Sequence, residues 1–438
     1  MQVQAVRGPP PAGSAGPGAR AWVALGILCL VYMLNFLDRQ LLSILAKPIQ
    51  DELHLSDSQL GRLGGLYFAL FYCLISIPVG WFADKTNRVW ILSLACGLWS
   101  LATMGCGVSA NYPQLVASRM AVGVGEAGGV PPSYAIISDY FPPGRRGAAL
   151  GLYNLGPPIG QALGVAFGAS IAVAYSWRHA FVVLGGVGVI AAIAVLAFVR
   201  EPVRGGLDVK PAPAEPKSGK SGFADTVRTF FSSPALVLIS LACGATQIIT
   251  YGAGNFTTLF LMREKGMTLS EVAVYMALAT GICMGGGIAI SGRVVDHFAK
   301  MSRRAYAIVP GAALLAAAPL FVGFIYARSW PTALLFLAGP MALNYFYLST
   351  AVTFVQEEVR PDQRVLSGAL LLLVMNLIGM GVGPTFVGWA SDVFRASHPH
   401  NSLQLAFVSL MPVYALAILL FLALAVVLKR AGSIGAKR

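Results

Sequence analysis

Long apolar runs separated by short polar breaks pattern this chain from residue 22 to residue 428, and twelve of the runs are long enough to cross a bilayer as helices. They lie at 22–45, 59–82, 89–110, 114–137, 147–174 and 180–199, then at 235–262, 269–294, 306–326, 331–355, 366–390 and 403–428. Ahead of them, residues 1–20 are rich in Pro, Gly and Ala and have no apolar core, so they read as a flexible cytoplasmic tail and not a cleaved signal. Between 201 and 232 the pattern stops and the chain turns to Lys, Pro, Gly and Ser, as in Lys210-Pro-Ala-Pro-Ala-Glu-Pro-Lys217, which is linker chemistry. The expected fold is therefore all-α and integral to the membrane. It has twelve transmembrane helices in two six-helix bundles, 21–200 and 233–430, with a cytoplasmic linker at 201–232 and a short cytoplasmic tail at 431–438.

Composition agrees with the pattern: 56% of residues are hydrophobic, 11% are charged and the mean hydropathy is +0.70, which excludes a soluble domain of ordinary composition. The net charge of +13 changes the picture only through topology. Placing the N-terminus in the cytoplasm puts most of the 31 Lys and Arg on cytoplasmic tails, loops and helix ends. The expected protein is thus multi-pass in the plasma (inner) membrane with both termini cytoplasmic, and its basicity implies no nucleic-acid partner. Cys29, Cys73, Cys96, Cys106, Cys243 and Cys283 all fall inside apolar runs without CxxC spacing and read as small core packers. No metal site and no cofactor are expected, and neither a nucleophile elbow nor an interfacial base suggests an enzyme.

Four ionisable residues sit deep inside the runs: Asp38 and Arg39 in the first, Arg119 and Glu126 in the fourth. A charge at mid-bilayer depth costs at least about 2.5–3.5 kcal/mol, so it persists mainly where it has a partner or a watery cavity. At 1.5 Å per residue, Arg119 lies roughly 9 Å and Asp38 roughly 10 Å below the outer ends of their helices, at similar depth. Arg119 and Glu126 are nearly two turns apart and share one face, with Gly123 between them. Adjacent Asp38 and Arg39 point about 100° apart, so one faces the cavity and the other a neighbouring helix. We expect Asp38, with Glu126, to take up and release a proton as its surroundings change between wet and dry. Arg119, with Arg39, is expected to bind an anionic group or to hold the two acids, because a guanidinium fork pairs bidentately with carboxylate or phosphate. The plainer alternative is a charge network that merely joins helices one and four.

The two halves echo each other. Gly80-Trp-Phe-Ala-Asp84-Lys85-Thr-Asn-Arg88 follows the second run, and Gly292-Arg-Val-Val-Asp296 follows the eighth. A glycine allows close approach, a rim aspartate caps a neighbouring helix and the cations pair across the loop, so we expect a cytoplasmic gate. Arg145 and Arg146 in the next cytoplasmic loop, and Gly156-Pro157 within Gly151-Leu-Tyr-Asn-Leu-Gly156-Pro157-Pro158-Ile-Gly160, are expected to serve the same movement.

The loop motif in a twelve-helix chain resembles the major facilitator superfamily. Within it, Asn35-Phe-Leu-Asp38-Arg39, the loop from Gly80 to Arg88 and Arg119-Met-Ala-Val-Gly-Val-Gly-Glu126-Ala look like the Spinster family of lipid transporters, in a bacterial member. The resemblance runs through most of the first half and is mainly architectural in the second. It implies a proton-coupled, alternating-access transporter of an amphiphile such as a lysophospholipid or sphingosine-1-phosphate, with Asp38 as coupling carboxylate and Arg119 and Glu126 in the polar site. Tyr67, Phe71, Tyr251, Phe256, Tyr345, Phe346 and Tyr347 offer aromatic surface for such a substrate, and Thr250, Asn255 and Asn344 neutral hydrogen bonds. The expected partners are a small amphiphilic or anionic substrate, protons and membrane lipid, and the expected state is a monomer. Competing readings are a carrier of a small hydrophilic organic anion, such as a sugar acid, and a non-transporting receptor of the same fold.

Overall fold

The computed structural model describes residues 18–204, 206–207, 223–360 and 363–435. Most of the expected N-terminal tail, most of the linker and the end of the C-terminal tail lie outside these residues. Eleven described segments are long and apolar enough to cross a membrane. In the first half they are α1 (Ala19–Ile44), α2 (Asp57–Gly80), α3 (Arg88–Val108), α5 (Gly144–Ala174) and α6 (Trp177–Phe198). In the second they are α7 (Pro234–Lys265), α8 (Leu269–Ala299), α9 (Ala305–Tyr326), α10 (Trp330–Glu358), α11 (Leu366–Arg395) and α12 (Ser402–Arg430).

The remaining run, α4, departs from the continuous helix expected: it forms two pieces, Tyr112–Glu126 and Val130–Tyr140. Residues 127–129 turn between them, and Pro131 and Pro132 open the second piece, where a missing N–H breaks no helical bond. Glu126 therefore ends a helix in mid-span. Leu74, Leu94, Ile190 and Leu335 are each more than half exposed. Apolar side chains in that number on the outside of a helical body need hydrocarbon around them, which is the environment such spans require.

Within the N-terminal bundle, α5 packs on α1 through glycines. A Cβ at Gly160 would overlap the Met33 carbonyl, and one at Gly164 would stand 2.8 Å from the Leu37 carbonyl oxygen. Gly160→Ala is thus expected to force the two helices apart at a cost of about 1–3 kcal/mol. A thermal melt of the purified protein unchanged by the substitution would contradict this packing.

Contacts between the bundles concentrate in the half where α2 begins and α7 and α11 end. A Cβ on Gly61 of α2 would overlap the Pro384 carbonyl of α11, one on Gly388 would overlap the Asp57 carbonyl, and one on Gly281 of α8 would meet Ala162 of α5 at 3.3 Å. Along this α5 contact α8 widens into two π-helical stretches, Val272–Met276 and Thr280–Met284. Toward the half where α2 ends and α11 begins the picture reverses: around Gly80, Gly147, Gly151, Gly292 and Gly368 an added Cβ would meet nothing within 4 Å. The bundles meet at the first of these ends and part at the other.

Candidate functional site

Arg39 projects from α1 toward the seam between the bundles. Its Nε donates to Glu126 Oε2 at 2.6 Å, and the Glu126 side chain is fully buried whereas that of Arg39 keeps 14% of its exposure. Aromatic rings surround the guanidinium: Phe36 at 4.9 Å, one turn back on α1, and Phe68 and Tyr72, one turn apart on α2, each at 5.1 Å. From the other bundle, Tyr251 of α7 lies beside it, with Tyr345 of α10 next to Tyr251. Each ring face attracts the cation by about 0.5–2 kcal/mol depending on desolvation. The cation is oriented by the carboxylate and the rings together, and it is the member of the charge set that solvent reaches.

Asp38 turns the other way, into its own bundle. Thr103 Oγ1 of α3 donates to its Oδ2 at 2.8 Å, and the carboxyl borders a closed space of about 10 Å³ between α1, α3 and α6, lined by Trp99, Ser100 and Gly185 among others. That space holds one water at most. Asp38 Oδ1 has no hydrogen-bond partner, nor do Nε and Nη1 of Arg119, which is buried with its guanidinium 5.3 Å from the Phe68 ring centre. No ion pair or hydrogen bond joins Arg119 to Asp38 or Glu126. The sequence puts Asp38 and Arg119 at similar depth and leaves open which of Asp38 and Arg39 faces the cavity. The geometry pairs Arg39 with Glu126, because the 100° step along α1 sends position 39 to the seam and position 38 to α3.

The other expected binding residues divide. Phe71 lies near Gly123, within 3.5 Å of where a Cβ would stand, and Tyr251 and Tyr345 belong to the cluster. Tyr67 instead meets Tyr112 at the outer start of α4. Asn255 Nδ2 donates to the Tyr251 carbonyl of its own helix at 3.1 Å, and Asn344 Nδ2 donates to the Tyr414 hydroxyl at 2.9 Å inside the C-terminal bundle. Phe256 and Tyr347 are core. Phe36, Phe68, Tyr72 and Thr103 were absent from the expected set. The spacing of Phe36 to Arg39 and of Phe68 to Tyr72 is a helical-face signal that identifies the first three.

Of the expected cytoplasmic gate, Arg88 pairs with Asp139 and with Glu201, each at 2.6 Å, and so ties α3, α4 and the end of α6 within one bundle. Arg146 Nε donates to the Phe141 carbonyl at 2.9 Å, while Lys85 and Arg145 are exposed. Gly156, followed by Pro157, packs on Tyr32 and Met33. The side chains of Asp84 and Asp296 lie outside the described residues. Among the described residues, every cytoplasmic ion pair stays within its own bundle.

A latch absent from the sequence expectations ties the two bundles where α2 begins. Asp57, with no exposed side chain, starts α2 and accepts from Arg263 Nη1 and Nη2 at 3.1 and 2.9 Å, from Arg395 at 2.5 Å and from Ser391 at 2.6 Å, all in the opposite bundle. Gln50 donates to it from its own side at 2.6 Å. In return, Asp392 of α11 accepts from the Asp57 and Ser58 amides at 3.1 and 2.8 Å, capping the α2 N-terminus with a carboxylate where the helix dipole favours one. Glu264 caps α12 in the same manner through the Leu403 and Gln404 amides.

Two helical bundles, latched at one end and parted at the other around a buried charge cluster, define a membrane carrier. The chain belongs to the Major Facilitator Superfamily, whose family model matches residues 28–384. It is 33% identical over 373 residues to an MFS-type efflux pump of Mycolicibacterium smegmatis, covering 85% of each chain. It is 26% identical over 409 residues to human protein spinster homolog 1, covering 89% of this chain and 76% of the relative. A crystal structure of a bacterial homolog to the human lysosomal transporter Spinster, described as inward-facing and unoccupied, superposes with a TM-score of 0.87 at 28% identity over 95% of this chain and 99% of that one. The chain is a Spinster-like transporter and not an enzyme.

Proposed function

We propose that the protein is a proton-coupled secondary transporter of anionic amphiphiles, of the lysophospholipid or sphingosine-1-phosphate kind. The observation that carries this reading is Arg39: a partly exposed guanidinium at the bundle seam, ringed by aromatic faces and balanced by a single buried carboxylate. A phosphate or carboxylate head group arriving there competes with Glu126 for the cation, and the rings of Phe36, Phe68 and Tyr72 accept the first methylenes of a chain. Once displaced, the Glu126 carboxylate has lost its hydrogen-bonded cation and is the first proton site. Asp38, held on one oxygen by Thr103, is the second proton site. Closing the cytoplasmic cleft and opening the Asp57 latch then exposes the same cluster to the other side.

Competition in proteoliposomes tests the substrate class. Single-chain lipids with one common head group are expected to inhibit uptake more strongly as the acyl chain lengthens. If the free head group or a sugar acid competes as well as the lipid does, the protein carries small hydrophilic anions instead.

A further inference from the structure

The Asp38 carboxyl is not packed tightly on every side. It borders the closed space of about 10 Å³ between α1, α3 and α6, together with Ser100, Thr103, Leu184, Gly185 and Gly188. Here α3 and α6 approach almost backbone to backbone. A Cβ on Gly185 would stand 2.6 Å from the Ser100 carbonyl oxygen, and one on Gly188 2.2 Å from Ser100 Oγ. Both positions therefore need glycine for the Ser100 hydroxyl to stand where it does.

Accounting for the hydrogen bonds around this space leaves one oxygen unserved. Asp38 is 4% exposed, and its Oδ1 has no partner. An unsatisfied buried acceptor costs about 1–3 kcal/mol, and a charged one more. Thr103 shares its single hydroxyl hydrogen between Asp38 Oδ2 at 2.8 Å and the Trp99 carbonyl at 2.9 Å, and Ser100 gives its own to the Cys96 carbonyl at 2.6 Å. Neither hydroxyl has a hydrogen left for Oδ1, but the Ser100 oxygen keeps lone pairs that can accept. A donor of two hydrogens with the volume of one water completes the set, one to Oδ1 and one to Ser100 Oγ. The ionisable groups that act on Asp38 are Arg119 and Glu126 from α4, Arg39 beside it on α1 and the Cys106 thiol of α3, and none of them lines the space.

We propose that this space is a proton-relay site in which one water bridges Asp38 Oδ1 and Ser100 Oγ. The inference rests on the reading of Asp38 as a proton site. An incoming proton adds to the water, which passes a different hydrogen to Oδ1, so the carboxyl gains one proton and the water is restored. Release runs the same path in reverse. Ser100 and Thr103 are positioning residues, the first for the water and the second for the carboxyl. The relay lies on the side of Asp38 turned away from Arg39, so proton exchange and head-group binding use different faces of α1.

Infrared difference spectra of the reconstituted protein between acid and alkaline pH test the relay. The wild type is expected to show a carboxyl C=O band that is lost in Asp38→Asn. With it should come a water O–H band that shifts when the solvent is labelled with heavy oxygen and that is also lost in Asp38→Asn. A difference spectrum cancels every water whose bonding does not change, so this band reports a water coupled to the titration. Ser100→Ala is expected to abolish the water band and to move the Asp38 C=O band to higher frequency, as for a carboxyl with one hydrogen bond fewer. An Asp38 C=O band without the isotope-sensitive water band, or a water band that survives Ser100→Ala, would overturn the relay and leave Asp38 a proton site. Absence of the C=O band itself would overturn the reading of Asp38 on which the relay rests.

Discussion

Asp57→Ala is expected to open the outer side of the transporter. The substitution leaves Arg263 and Arg395, both of the C-terminal bundle, without the carboxylate that they engage across the bundle interface, and it strips an acceptor from Ser391 and Gln50. Removing one partner of a buried pair typically costs 3–5 kcal/mol, and the partial exposure of Arg395 argues for the lower end, about 3 kcal/mol. Because these bonds exist only while the bundles meet on the outside, the loss falls on that state. It corresponds to roughly a hundredfold shift toward outer-open forms. Distances between spin labels on the outer ends of α2 and α11 report it directly: the variant should populate a longer distance that the wild type lacks. Identical distributions would mean that helix packing through Gly61 and Gly388, with the Asp392 cap on the α2 amides, keeps that side shut without the Asp57 carboxylate.

The second large effect is expected at Arg39. Arg39→Ala abandons a fully buried Glu126 carboxylate and removes the cation that reaches the seam, so both stability and transport of anionic substrates should fall, transport to background. A double variant separates the two roles. Arg39→Met with Glu126→Gln removes both charges while keeping the volume, and it should recover most of the lost thermal stability without recovering transport. If uptake returns together with stability, Arg39 is a structural partner of Glu126 and not a substrate ligand.

Legibility in the sequence followed cost. Twelve apolar runs stood out because the bilayer demands about 20 residues of hydrocarbon-compatible helix at each crossing, and the fold follows from them. The break in α4 was written in Gly128-Gly129-Val130-Pro131-Pro132, but an apolar run masks such a break when hydropathy is the guide. Asp38, Arg39, Arg119 and Glu126 were conspicuous because charges in hydrocarbon are expensive. Their pairing was not, since depth and a 100° step do not say which way α1 is rotated in its bundle. Thr103 gave no warning, because a single hydroxyl in a membrane helix is commonplace and bonds its own backbone, as Thr103 also does to the Trp99 carbonyl. The outer latch was hidden for the opposite reason. Asp57, Arg263 and Arg395 lie just beyond the apolar runs, where charges cost little and ordinary loop residues look the same, and only the meeting of three distant segments gives them a role.

The account turns on a carboxyl at position 38 that links proton movement to transport. Uptake of a labelled lysolipid into proteoliposomes under an imposed pH gradient, compared between wild type and Asp38→Asn, tests it most directly. Asparagine keeps an acceptor for Thr103 and cannot exchange a proton. The account predicts gradient-driven accumulation in the wild type, and in the variant only equilibration down the substrate gradient. Accumulation by Asp38→Asn at the wild-type level would contradict it.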